Sequence, residues 1–104
     1  MKGVTATLAA RGDDCDAACA KRGAACAPEG LAQLNDCGLL GNLLAAPCEC
    51  VLSRGAEQPA VEEGASGVIA KCLVDRGGAG AGTCEASHPR TRRACPCLDA
   101  EPAS

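Results

Sequence analysis

Apolar positions in this chain fall in short clusters of Ala, Leu and Val, and their spacing predicts a few brief elements rather than long ones. The clearest helical pattern is DDCDAACAKRG, residues 13–23. Asp13 or Asp14 can cap its first turn, and Asp16 lies where the helix dipole favours acid. Lys21 and Arg22 fall in the last turn, and Gly23 suits a left-handed stop. Cys15 and Cys19 are four apart and share one face. A second short helix is expected from Glu29 to Asn35, with Leu31 and Leu34 inward. LLGNLL, from Leu39 to Leu44, reads as a helical turn or a buried loop.

The second half is more extended. From Glu57 to Gly67 the chain is rich in Ala, Glu, Pro and Gly and reads as a solvated loop. VIAKCLV, Val68 to Val74, has the β-branched content of a strand. The Gly-rich stretch Arg76 to Gly82 predicts a turn, and Thr83 to Ala86 a short strand. Ser87 to Cys97 is expected to be extended, because Pro89 and Pro96 disfavour helix in the residue before each. No internal repeat is visible. The expected organisation is a disordered or truncated segment over residues 1–11, one module over 12–98 and a frayed tail over 99–104.

Composition decides how such a chain holds together. Among 104 residues there is no Phe, Tyr or Trp, and there are ten cysteines. Leu31, Leu34, Leu39, Leu40, Leu43, Leu44, Leu52 and Leu73 with Val51, Val68, Ile69 and Val74 can supply one thin core. At roughly 25 cal/mol per Å² of buried apolar surface, that core is too small to offset the entropy of ordering the chain. An even count of cysteines at this density reads as a disulfide scaffold. The expected fold is therefore a small disulfide-rich α+β module: short N-terminal helices, a few short strands, many loops and five disulfides.

Disulfides imply an oxidising compartment: the secretory lumen or the cell exterior. Lys2 is followed by only about seven weakly apolar residues, too few for a signal peptide. The chain is thus expected to be a piece of a larger secretory protein, or a gene model lacking its 5′ end. A cytosolic thiol-rich protein is the alternative. No stretch is long enough to span a bilayer, and a net charge of −3 gives no reason to expect a nucleic-acid partner.

One geometric match links the two ends. Cys15 and Cys19 on a helix lie about 6 Å apart along its axis, and Cys95 and Cys97 on an extended chain lie about 6.6 Å apart on one face. The helical C-x3-C and the extended C-x-C therefore share a pitch and can form two parallel bridges.

GDDCDAACAKRGAAC, CAPEGLAQLNDC and SHPRTRRACPC together resemble the C-terminal cysteine-rich region of N-acetylglucosaminyltransferase V, glycosyltransferase family 18. Cys15, Cys19 and Cys26 match its opening spacing. His88, Pro89, Arg92, Arg93, Cys95, Pro96 and Cys97 match its closing phrase. The similarity runs over about residues 12 to 97; the chain departs from the pattern at Pro28–Leu31, where the family places aromatics, and at Ala94. The resemblance implies nested bridges: Cys15 with Cys95, Cys19 with Cys97, Cys26 with Cys84, and Cys48 or Cys50 with Cys72, the remaining one of that pair meeting Cys37. It also implies a metal-independent parent enzyme of the Golgi. Such an enzyme transfers N-acetylglucosamine from UDP-GlcNAc to the mannose of N-glycans, and its donor site lies in lobes of several hundred residues that this chain does not contain.

Individual residues offer little chemistry of their own. Asp14-Cys15-Asp16 has the form D-x-D, but helix capping accounts for it. His88, the only histidine, reads as a structural turn residue rather than a base. Arg90, Arg92 and Arg93 form a basic cluster, a candidate surface contact for an acidic partner or glycan; ion pairing within the domain or capping of loop carbonyls is the plainer reading. The two C-x-C pairs raise the question of metal, but no C-x2-C pair seeds a zinc site. A lectin would need an aromatic ring to stack on sugar, and GGAGAG lacks the Lys-Ser/Thr of a phosphate loop. No catalytic, cofactor or metal residue is expected. The partners expected are the catalytic lobes of a parent glycosyltransferase or another protein surface, and a free-standing secreted interaction domain is the other reading.

Overall fold

The computed structural model describes residues 3–53, 55–64, 68–75 and 82–99. Its elements run β1 (Val4–Leu8), α1 (Cys15–Ala20), β2 (Ala25–Cys26), α2 (Cys37–Leu44), β3 (Cys48–Ser53), β4 (Ala60–Glu62), β5 (Ala70–Asp75) and β6 (Arg92–Leu98), with 3-10 turns at Pro28–Gly30 and Ala32–Leu34. This is a small, loop-rich, disulfide-rich α+β fold with five bridges.

The organising strand is β6. One edge pairs antiparallel with β1, from Val4 opposite Leu98 to Leu8 opposite Ala94. The other edge is shared: β4 lies against Arg92 and Arg93, and β2 against Cys97 and Leu98. The gap between them falls at Pro96, which has no N–H to offer a neighbour. Its carbonyl still accepts from the Ala27 N–H at 2.8 Å. β5 follows β4 antiparallel, and β3 lies parallel to β5 at the far edge, giving the order β1-β6-β4-β5-β3.

The sheet separates two cores, one under each helix. Successive residues of β6 face opposite sides. Cys95 and Cys97 join Ala9, Cys15, Ala18, Cys19, Leu31 and Cys84 beneath α1. Ala94 joins Leu34, Leu40, Val61, Cys72 and Val74 beneath α2. The first core is built mostly from sulfur and alanine; the second holds more of the aliphatic bulk.

Several expectations change. Residues 4–8, expected to be unstructured, form β1: their β-branched Val4, Thr5 and Thr7 suit a strand, and β6 offers them an edge. The expected solvated loop over Glu57–Gly67 contains β4, in which Ala60 and Val61 are fully buried; residues 65–67 lie outside the described residues. Three residues are too few to show periodicity, and Pro59 is tolerated at a strand entrance. The single helix expected over Glu29–Asn35 is two 3-10 turns, though Leu31 and Leu34 do point inward. LLGNLL is the body of α2. α1 ends at Ala20, with Lys21 as its cap and Gly23 in the left-handed region at φ 70°. The thin core is also smaller than expected, since Leu39, Leu52, Val68 and Ile69 are exposed. The expected turn over Arg76–Gly82 lies, but for Gly82, outside the described residues.

Candidate functional site

Most of the chemistry-bearing residues converge where α1, β6 and the Cys84 loop meet. Asp14 caps α1 by accepting from the Ala17 N–H at 2.7 Å. The next orphan donors of that helix end, the N–H groups of Cys15 and Asp16, both reach the Cys84 carbonyl, at 2.9 and 3.2 Å. This use of the Cys84 carbonyl explains why Thr83–Ala86, expected as a strand, is not one. Gly82, just before, packs so tightly on the carbonyls of Ala56 and Gln58 that no Cβ fits there.

The bridges run Cys15–Cys95, Cys19–Cys97, Cys26–Cys84, Cys37–Cys50 and Cys48–Cys72. The first two lie side by side with Cα–Cα distances of 5.2 and 5.3 Å, so the helical and extended pairs do meet at matched pitch. They tie α1 to β6 across 80 and 78 residues of sequence. Cys26–Cys84 fastens the loop that caps α1. The last two fasten α2 to β3 and β3 to β5. All ten thiols are consumed.

Arg93 is the structural surprise of this region. Expected as part of a surface cluster, its side chain is fully buried. The alternation of β6 turns it to the same face as Cys95 and Cys97, beside the Cys84 loop. Its Nη1 donates to the carbonyls of Thr83 at 2.7 Å and Ala86 at 2.6 Å, and its Nη2 to that of Gln58 at 3.4 Å. The guanidinium fork thus ties these two loops together, beside the bond from the Thr83 N–H to the Ala56 carbonyl at 3.0 Å. Burial pushes its pKa down from the usual arginine value, and the charges of Glu57, Asp14 and Glu85 partly offset this.

The other two arginines stay at the surface in different roles. The half-buried Arg92 donates its Nε to the Ala9 carbonyl at 2.9 Å and meets Glu63 at 3.5 Å. Arg90 is exposed, and with Arg11, Glu62, Glu63 and Gly64 it lines a shallow cleft of about 220 Å³. Arg11, from the turn after β1, is a member that the sequence cluster did not contain. The turns carrying Arg11 and Arg90 are joined by the Gly12 N–H donating to Thr91 O at 3.0 Å.

The remaining candidate positions are engaged structurally. His88 accepts the Arg90 N–H on Nδ1 at 3.1 Å, and its carbonyl accepts from the Thr91 N–H at 3.1 Å; it shapes a turn. Asp16, Cys26 and Cys84 lie close enough to hold an ion, but the two sulfurs are bonded to each other and offer no thiolate.

A larger groove of about 450 Å³ adjoins the cleft at Arg90 through Glu63 and Gly64 and is lined further by Leu44, Ala46, Pro47, Val68, Ile69 and Ala70. Val68 and Ile69 are 62% and 65% exposed there, unusual for β-branched aliphatics in a chain so poor in them. No helix among the described residues is long and apolar enough to cross a membrane. No family model and no curated protein matches the chain.

Proposed function

We propose that this chain is a non-catalytic, disulfide-stapled binding module of the oxidising secretory pathway. Its resemblance to the C-terminal region of N-acetylglucosaminyltransferase V suggests that it packs beside the catalytic lobes of a Golgi glycosyltransferase and braces their acceptor side. The observation that carries this reading is the pair of parallel bridges from α1 to β6, because they join the opening and closing motifs on which the resemblance rests. The apolar groove at Val68 and Ile69 supplies a surface that a neighbouring lobe would cover.

The test is complementation in trans. The chain is added to the catalytic lobes of a family 18 N-acetylglucosaminyltransferase that lacks its own cysteine-rich region. The expected result is a stoichiometric complex with higher turnover on an N-glycan acceptor. Val68→Asp with Ile69→Asp should weaken that complex, and the chain alone should transfer no sugar. Lobes that fold and turn over equally well without the chain, and form no complex with it, would overturn the glycosyltransferase assignment.

The second reading, a free-standing secreted interaction domain, is favoured by the way the frame closes on itself. Its first two cysteines bond to its last two, which fastens both ends of the frame within the chain itself. The coding sequence upstream of Met1 separates the two: a glycosyltransferase lobe in frame supports the first, and a signal peptide directly before Lys2 supports the second.

A further inference from the structure

The five bridges differ sharply in access to solvent. Cys15, Cys19, Cys72, Cys95 and Cys97 are fully buried, and Cys84 is nearly so. Cys26, Cys37 and Cys48 are half-buried, and Cys50 alone of the ten is exposed. Cys50 lies midway along β3, the outermost strand of its side of the sheet, where no strand among the described residues pairs with its far edge. Its partner Cys37 is the first residue of α2.

We propose that Cys37–Cys50 is a thiol–disulfide exchange site, addressed by a dithiol reductant, on a frame whose other four bridges stay closed. This proposal is independent of the identity of the parent protein. The reductant's thiolate attacks the Sγ of Cys50, the exposed residue of the pair. A bond forms between those two sulfurs while the Cys50–Cys37 bond breaks, and its electron pair leaves on Cys37 as a thiolate. The reductant's second thiolate then attacks its own first sulfur, closing the reductant's disulfide and releasing Cys50 as a thiolate. Two electrons pass from the dithiol to the bridge, and the two new thiolates take up the protons the dithiol lost.

Two features favour this direction of attack. Exchange requires access to the sulfur attacked, and Cys50 is the exposed residue of the pair. The leaving thiolate of Cys37 forms at the N-terminus of α2, where the helix favours an anion. The Asp36 carboxylate, which caps the same turn by accepting from the Leu39 N–H at 3.0 Å, offsets part of that benefit. Each of the other four bridges has at least one buried cysteine, whereas neither Cys37 nor Cys50 is buried. The α1–β6 pair is protected further because opening one bridge leaves the other holding both ends together.

Opening Cys37–Cys50 would leave β3 attached to β5 through Cys48–Cys72, so the sheet survives and Cys50 is presented as a surface thiol. That thiol could form a mixed disulfide with a partner cysteine.

The test uses the native, unreduced chain. It is exposed to limiting dithiothreitol, quenched with N-ethylmaleimide over a time course, and mapped by peptide mass. Cys37 and Cys50 should be labelled first, at least about tenfold faster than any other pair. With glutathione in place of the dithiol, the trapped adduct should sit on Cys50. The double variant Cys37→Ser/Cys50→Ser should lose the fast phase and keep the slower ones. Labelling of another pair first, concerted opening of all five, a glutathione adduct on Cys37, or a fast phase that survives in the variant would overturn the proposal. Should the variant not fold, the map on the unmodified chain decides alone.

Discussion

At the scale of single residues, Arg93 joins two loops through bonds that no apolar side chain can make. It serves three carbonyls of the Gln58 and Thr83–Ala86 segments at once. Replacing it with Met keeps much of the volume and leaves three carbonyls, that of Gln58 buried and those of Thr83 and Ala86 partly so, without this donor. Each buried polar group left unmatched costs about 1–3 kcal/mol, so Arg93→Met should lower unfolding stability in urea by about 3 kcal/mol or more. Arg93→Lys should fall between, because an ammonium lacks the planar fork. Arg90→Ala, at an exposed position, should stay within about 0.5 kcal/mol of the parent. Ala45 is the reverse case. It ends α2 at φ 58°, a left-handed position that costs a residue with a Cβ about 1–2 kcal/mol. Ala45→Gly should therefore raise the urea midpoint slightly, the gain held below about 1 kcal/mol by the extra freedom of glycine in the unfolded chain.

At the scale of elements, the helices are too short to stand alone and depend on their ends. α1 has six residues, and Asp14 with the Cys84 carbonyl satisfies three of its first donors. Asp14→Ala should cost about 1 kcal/mol in the same urea experiment, and Asp36→Ala a similar amount at α2. The exposed Lys21–Asp13 pair, although close at 2.6 Å, should contribute little, and Lys21→Ala should be hard to distinguish from the parent. Among the strands, β4 is short but central, lying between β5 and β6. Val61 is fully buried in it, so Val61→Ala should cost about 2 kcal/mol from lost contact and the cavity left behind. A loop residue, as the sequence pattern suggested, would lose far less, so this substitution tests the strand directly.

At the scale of the whole molecule, the bridges replace the missing aromatic core. Cys15–Cys95 and Cys19–Cys97 close almost the same loop, so their effects overlap. A loop of that size removes about 4.5 kcal/mol worth of unfolded-state freedom in the chain-entropy model. Removing either bridge alone should cost much less than this, and removing both should cost at least as much. The non-additivity is read from urea midpoints of the two double-serine variants and the quadruple one. A thiol count on the denatured, unreduced chain should give no free thiols, and full reduction should abolish cooperative unfolding altogether.

What was legible in the sequence was what depends on neighbours along the chain or on composition. A cap at Asp13 or Asp14, of which Asp14 serves, the left-handed Gly23, the inward Leu31 and Leu34, a strand expected over Val68–Val74 and found at Ala70–Asp75, and the need for disulfides all follow from local rules. The matched pitch of Cys15/Cys19 and Cys95/Cys97 follows as well, since rise per residue is a property of helix and strand alone. The tertiary structure decided the rest. β1 and β4 exist because β6 lends each an edge, and no window of five or three weakly apolar residues can announce a partner that lies elsewhere in the chain. Arg92 and Arg93 are identical in sequence terms, yet strand alternation sends one to the surface and buries the other against carbonyls contributed by two separate loops. The exposure that sets Cys50 apart from nine other bridged cysteines likewise comes from the position of β3 at the sheet edge, a consequence of strand order that composition and spacing do not carry.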